Sequence, residues 1–222
     1  MKNVLVVAPH PDDETLGCGG TLLKHKEAND RIHWLIVTGM TDQTVFSPDR
    51  IKSRQNEIKK VADRYGFSEV ISLDLPTTKL DTIPMSDIVS LIGDSFQRIR
   101  PEIVYLPYRG DVHTDHKVVF DATVACTKWF RYPYVKKVLV YETLSETDFG
   151  LTPYTGSFRP NVFINIEKYL DRKIEIMKIF ATEMGQFPFP RSEEAIRALA
   201  HVRGAASGCK AAEAFMLLRE VQ

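Results

Sequence analysis

No sign of charge dominates this chain: 29 Lys and Arg stand against 29 Asp and Glu in 222 residues, a formal net charge of zero at pH 7. The basic residues are scattered rather than striped, so the sequence offers no electrostatic footprint for nucleic acid or an anionic membrane. Cysteine is scarce. Cys18, Cys126 and Cys209 lie far apart with no C-x-x-C or C-x-x-H spacing. That pattern excludes a disulfide framework and a zinc ribbon, and reads as reduced thiols. No apolar run approaches membrane-spanning length, and the one near the N-terminus is too short for a signal-peptide core before His10, Pro11 and Asp12 break it. The expectation is a cytoplasmic protein. A dinucleotide fingerprint is missing as well: Gly17, Gly19 and Gly20 read G-x-G-G inside a presumed helix, and the acidic residues ahead of them would repel a pyrophosphate. Small residues at those positions instead suit close helix–sheet packing.

What is present is alternation. Short apolar runs rich in β-branched residues, at 3–8, 32–38, 69–75, 103–107, 137–142 and 161–166, are separated by amphipathic stretches. This is the pattern of βαβ units and a mostly parallel sheet flanked by helices. Helix ends are readable. Ser47 is an N-cap with Pro48 at the first helical position, and Gly66 closes that helix. Ser86 is the expected cap of the next helix, which stops before Pro101, and Thr114 that of a helix over 115–130. Beyond residue 143 the alternation loosens into a polar loop at 145–160, a long amphipathic helix at 167–184 and a Pro/aromatic elbow at 185–190. With no repeat or linker, 1–222 reads as a single α/β domain with an elaborated C-terminal third.

Ligands of open α/β sheets bind at the carboxyl ends of the strands. Two loops at such ends carry polar clusters: His10-Pro-Asp12-Asp13-Glu14 after the first strand and Asp111-Val-His113-Thr-Asp115-His116 after the fourth. Carboxylates gathered beside buried strands repel one another, and a divalent cation converts that repulsion into coordination. Two imidazoles and a carboxylate form a three-ligand set that leaves positions open, a pattern that suits Zn²⁺ and equally Fe²⁺. A hydrolytic site further needs a carboxylate base and a group at the developing oxyanion, for which His113 beside Asp115 is the obvious pair. These parts describe metal-assisted hydrolysis of an amide or ester.

The sequence PHPDDE after a first strand, with HTDH a hundred residues later, resembles the PIG-L/LmbE-like superfamily of metal-dependent N-deacetylases. Thr38 followed by Gly, Arg54-x-x-Glu57, Arg203-Gly and a late Ala-Glu-Ala-Phe run are further echoes, so the resemblance covers most of the chain. It implies a Rossmann-like fold and removal of acetyl from N-acetylglucosamine-type sugars. It further implies His10, Asp13 and His116 as metal ligands, Asp12 as general base, and His113 stabilising the oxyanion or protonating the departing amine, oriented by Asp115. Glu14 is implied behind the ligands and, with Arg54 and Arg203, forms the candidate substrate-binding set. A small amino-sugar substrate and a homo-oligomer, trimer or hexamer, come with the same resemblance. Two departures stand out: Pro9 replaces the usual Ala before His10, and Thr114 the commoner Pro between His113 and Asp115.

Each assignment has a plainer counterpart. Asp12 suits a helix N-cap, Glu14 a helix dipole, His113 a loop closure, and Arg54 an exposed ion pair with Glu57 or Asp49. The competing functions are an Fe²⁺- or Zn²⁺-dependent enzyme acting on another small molecule and a non-catalytic sugar-binding module. Specificity is expected in the loops at 41–47 and 145–160 and in the aromatic elbow at 187–191.

Overall fold

The computed structural model describes residues 1–151 and 157–222, so residues 152–156 of the expected loop at 145–160 lie outside the described residues. Seven strands form one sheet: β1 (Asn3–Ala8), β2 (Arg31–Gly39), β3 (Glu69–Pro76), β4 (Ile103–Pro107), β5 (Lys137–Tyr141), β6 (Val162–Asn165) and β7 (Ala212–Glu220). Their order is β3-β2-β1-β4-β5-β7-β6, with β1 to β5 mutually parallel and β7 antiparallel to both neighbours. The helices are α1 (Asp13–Glu27), α2 (Pro48–Tyr65), α3 (Met85–Ile99), α4 (Thr114–Ala125), α5 (Leu170–Met177) and α6 (Glu193–Ala205). No described helix is long and apolar enough to cross a membrane.

The central strands are apolar at consecutive positions because both faces of the sheet are covered. Val4, Val6 and Ala8 of β1 pack with Leu22, Val61, Ile174 and Ala200, under α1, α2, α5 and α6. Leu5 and Val7 point the other way, against Ile88, Phe96 and Val119 of α3 and α4. Strand order reverses between β1 and β4, which pair directly. A crevice opens at such a switch point beyond the carboxyl ends. The two polar loops follow β1 and β4, so the topology brings them together.

Several ends differ from the sequence expectations. Pro84, not Ser86, precedes the first helical residue of α3, and the Ser86 hydroxyl bonds Asp87 instead. His113 rather than Thr114 caps α4, its ring nitrogen accepting from the Asp115 amide, and α4 ends at Ala125 rather than 130. The expected helix at 167–184 is α5 followed by a separate 3₁₀ turn, Ala181–Glu183. Phe180 breaks it with φ −82° and ψ 59°, turning its ring into the core. Two elements lie outside the expectations altogether, α6 and β7.

Candidate active site

Asp13 lies at the centre of the site. Its Oδ2 is 3.3 Å from His10 Nδ1 and 3.3 Å from His116 Nε2, and it also accepts the His10 backbone N–H at 2.8 Å. One donor atom from each of His10, Asp13 and His116 falls within a 4.8 Å cluster. The outward-facing nitrogens are equally well placed. His10 Nε2 lies 3.1 Å from Asp115 Oδ2, and His116 Nδ1 2.7 Å from Asp111 Oδ2. Imidazoles that ligate metals characteristically give their second nitrogen to a carboxylate, which fixes the tautomer and ring plane. Both do so here, and the residues therefore fit a divalent cation. His10, His113 and Asp115 form a second grouping by distance, but Asp115 already accepts the Thr78 amide at 2.7 Å and the Leu80 amide at 3.3 Å.

The electrostatics describe a site holding protons where a cation belongs. Burial opposes charge on His10, but Asp115 and Asp13 outweigh it and raise the imidazole to about 9. Burial likewise works against His116, yet Asp13 and Asp111 push it well above the ordinary histidine range. Asp13 is held well below the usual carboxylate range: burial would raise it, and the His116 and His10 charges prevail. A divalent cation can replace those two protons on the same donor atoms.

Asp12 occupies the N-cap position of α1, but its side chain makes no capping bond. Its Oδ2 instead meets Arg191 Nη1 at 3.1 Å, and burial together with Asp13 raises its carboxyl to about 7. Its backbone has φ 140°, a region that L residues seldom occupy. The peptide unit just before explains how this conformation is held. The Pro11 carbonyl accepts from Arg54 Nη1 at 2.9 Å, while the N–H of the same unit, on Asp12, donates to Glu14 Oε2 at 3.0 Å. Arg54 and Glu14 thus clamp one peptide group from both ends. Glu14 is fully buried and bonded to Thr15 as well, and Arg54 also pairs with Glu183 and Glu57 over the Phe180 ring. The structure puts Glu14 beneath the loop and Arg54 in the deep wall of the cavity.

His113 faces the cavity, and its Nδ1 accepts the Asp115 amide at 3.1 Å, so the neutral ring carries its proton on Nε2. Burial and the charge on His10 lower it to about 4. The carboxylate of Asp115 is 4.0 Å from that ring and engaged with His10, so Asp115 orients His113 through its backbone rather than its side chain. Arg203 is apart from this group. It binds Glu142 through two bonds of 2.7 and 2.5 Å, both residues lining a small separate cleft.

Glycines let the motif helix sit this deep. A Cβ on Gly17 would come within 2.2 Å of the Tyr141 ring, and one on Gly20 within 2.7 Å of Ile166. The helix is irregular at Cys18 (φ −144°, ψ 21°), and a buried ion pair splices the break. Glu213 accepts the Gly20 and Thr21 amides at 2.9 and 2.7 Å, and Lys173, 2.7 Å from Glu213, donates to the Leu16 carbonyl. Pro9 has no N–H, but its carbonyl takes both the amide and the hydroxyl of Thr38, at 3.0 and 2.8 Å, pinning the loop to β2.

These groups open into a cavity of about 590 Å³, within the range of small-molecule sites. Its lining includes the apolar Met40, Phe46, Ile51 and Ile58 together with Thr143, Glu146 and Arg191. Sequence reasoning placed Arg191 only within the specificity elbow at 187–191, with no contact to Asp12, and missed Glu183 as a member of the site. Their signal was weak: an Arg closing a Pro/aromatic elbow and a Glu inside an apparently uniform helical pattern.

The family described as PIG-L: GlcNAc-PI de-N-acetylase matches residues 5–127, more than half of the chain. Diacetylchitobiose deacetylase of Thermococcus kodakarensis is 25% identical over 96% of this chain and 82% of its own length. Uncharacterized deacetylase YaiS of Escherichia coli is 29% identical over 80% of this chain and 89% of its own. Among solved structures, the conserved protein TT1542 from Thermus thermophilus superposes with a TM-score of 0.80 at 24% identity, covering 100% of this chain and 97% of that one.

Proposed function

The chain belongs to the PIG-L family of de-N-acetylases, and from that premise we propose that it is a zinc-dependent hydrolase removing acetyl from an N-acetylated amino sugar or its glycoside. One observation carries the reading. The His10, Asp13 and His116 donor atoms converge next to Asp12, and His10, Asp12 and Asp13 line a cavity large enough for a sugar.

His10, Asp13 and His116 would hold the cation, with Asp115 and Asp111 orienting the two imidazoles. A divalent metal there supplies a Lewis acid for the acetamide carbonyl and makes water acidic enough to attack near neutral pH. Asp12, a buried carboxylate at the cavity held by Arg191, accepts the proton of the attacking water and returns it to the amine as the C–N bond breaks. Products are acetate and the free amine. His113, neutral with its proton on Nε2, donates to the developing oxyanion from the cavity wall. Arg191 holds the Asp12 carboxylate, while Arg54 and Glu14 hold its backbone. The whole chain acts as one deacetylase domain, and three free, dispersed cysteines support a cytoplasmic setting.

The test is acetate release from a panel of N-acetylglucosaminides by zinc-loaded and metal-depleted protein. Release confined to the loaded form supports the reading. Equal release by both forms, or none by either, overturns it.

A further inference from the structure

The cavity carries a charge pattern that bears on which glycoside fits it. Five carboxylates line it, those of Asp12, Asp13, Asp74, Glu146 and Glu183, against the guanidiniums of Arg54 and Arg191. Even a bound divalent cation leaves no net positive charge there. Both guanidiniums are already engaged: Arg54 with Glu57 and Glu183, Arg191 with Asp12 and Glu183. Both guanidinium charges are thus countered by carboxylates before any ligand enters, although the buried Nε–H of Arg191 has no hydrogen-bond partner.

Two further features point to a hydroxyl-rich ligand. Thr143, 1% exposed, lines the cavity with its hydroxyl buried and without a hydrogen-bond partner. A buried hydroxyl left unmatched costs stability, so its partner is expected from a ligand. Asp74, also in the lining, takes a left-handed conformation (φ 51°), and its Oδ1 accepts from the Ser72 hydroxyl at 2.8 Å. That carboxylate comes so close to Gly39 that any Cβ there would lie 2.7 Å from it. Strained backbone persists where the surroundings enforce it, and such strain clusters at ligand sites.

We propose that this site selects glycosides whose aglycone is an uncharged, hydroxyl-rich group such as a second sugar, with Thr143 and Asp74 reading its hydroxyls and Asp74 and Glu146 turning away anionic aglycones. The proposal rests on the deacetylase reading for its choice of ligands, but binding tests it separately from turnover. The assay is calorimetry on the zinc-loaded full chain with two ligands of similar size, N,N′-diacetylchitobiose and an N-acetylglucosaminide carrying a carboxylate-bearing aglycone, alongside acetate release from both.

The neutral ligand should bind at least about tenfold more tightly, with the gap narrowing at high salt as the charges are screened. Asp74→Asn and Glu146→Gln should each strengthen binding of the anionic ligand several-fold. Thr143→Val, close in shape, should weaken the neutral ligand by about threefold to tenfold. Equal or tighter binding of the anionic ligand, or a ratio unmoved by both carboxylate variants, overturns the proposal. Preserved selectivity without acetate release overturns the deacetylase reading and leaves the charge preference standing. Binding of neither ligand overturns both.

Discussion

Removing the Glu14 side chain tests the clamp on the Asp12 loop. Asp12 sits at φ 140°, a conformation that costs on the order of 1–3 kcal/mol and persists only while its neighbours enforce it. Glu14→Ala leaves the Asp12 N–H buried without an acceptor, at a further cost of roughly 1–3 kcal/mol. Relaxing the peptide is the way to escape both penalties, and it carries the Asp12 carboxylate with it. A displacement of about 1 Å in a catalytic group costs on the order of a hundredfold in rate. The expected result is therefore a kcat lower by about a hundredfold, with KM and zinc stoichiometry little changed. Glutamine should substitute well. Burial, with Asp12 nearby, raises the Glu14 carboxyl to about 8, so it is mainly neutral at pH 7, and a Gln oxygen can accept the same N–H. Steady-state acetate release with metal analysis reads both variants. A folded, zinc-loaded Glu14→Ala protein with kcat within about threefold of the parent would refute the clamp.

Asp12→Ala should retain zinc and lose about 10²–10⁴-fold in kcat, read by metal analysis and single-turnover acetate release; near-normal kcat removes Asp12 from the role of base. In the metal-free chain His10, Asp12 and Glu14 all have folded values above their ordinary ones, at about 9, 7 and 8. Groups raised in this way contribute stability in acid that is lost as pH rises through the folded value. Melting temperature without metal should therefore fall between pH 6 and 9, and zinc should flatten that fall; a metal-free curve that rises over this window contradicts the assigned charges. Gly17→Ala forces a methyl into the Tyr141 ring, whose hydroxyl is tied to the Val7 carbonyl at 2.9 Å. Overpacking there should cost about 1–3 kcal/mol, visible as a lower denaturation midpoint, and an unchanged midpoint would mean the ring has room to move.

The centre of the site was legible because it depends on chain order. Two polar loops at the carboxyl ends of parallel strands meet wherever the strand order reverses, and β1 and β4 are that pair. The surroundings of Asp12 were not legible. Arg191 reaches it across 179 residues and Glu183 reaches Arg54 across 129, through a broken helix and an elbow whose path no local pattern dictates. Asp115 shows the same limit at short range. Spacing alone pairs it with His113, whereas its carboxylate turns to His10 and only its amide serves His113. The splice at Cys18 was hidden too, since the continuity of α1 depends on Glu213 from the last strand and Lys173 from α5.

The central claim is that His10, Asp13 and His116 hold a metal on which hydrolysis of an N-acetyl amino sugar depends. Titrating metal-depleted protein with zinc, while following bound metal and acetate release together, tests it most directly. Acetate release should rise in step with the first equivalent bound, and His116→Ala should lose that binding and the activity together. Full activity in the metal-depleted protein, or zinc bound undiminished by the His116→Ala variant, would contradict it.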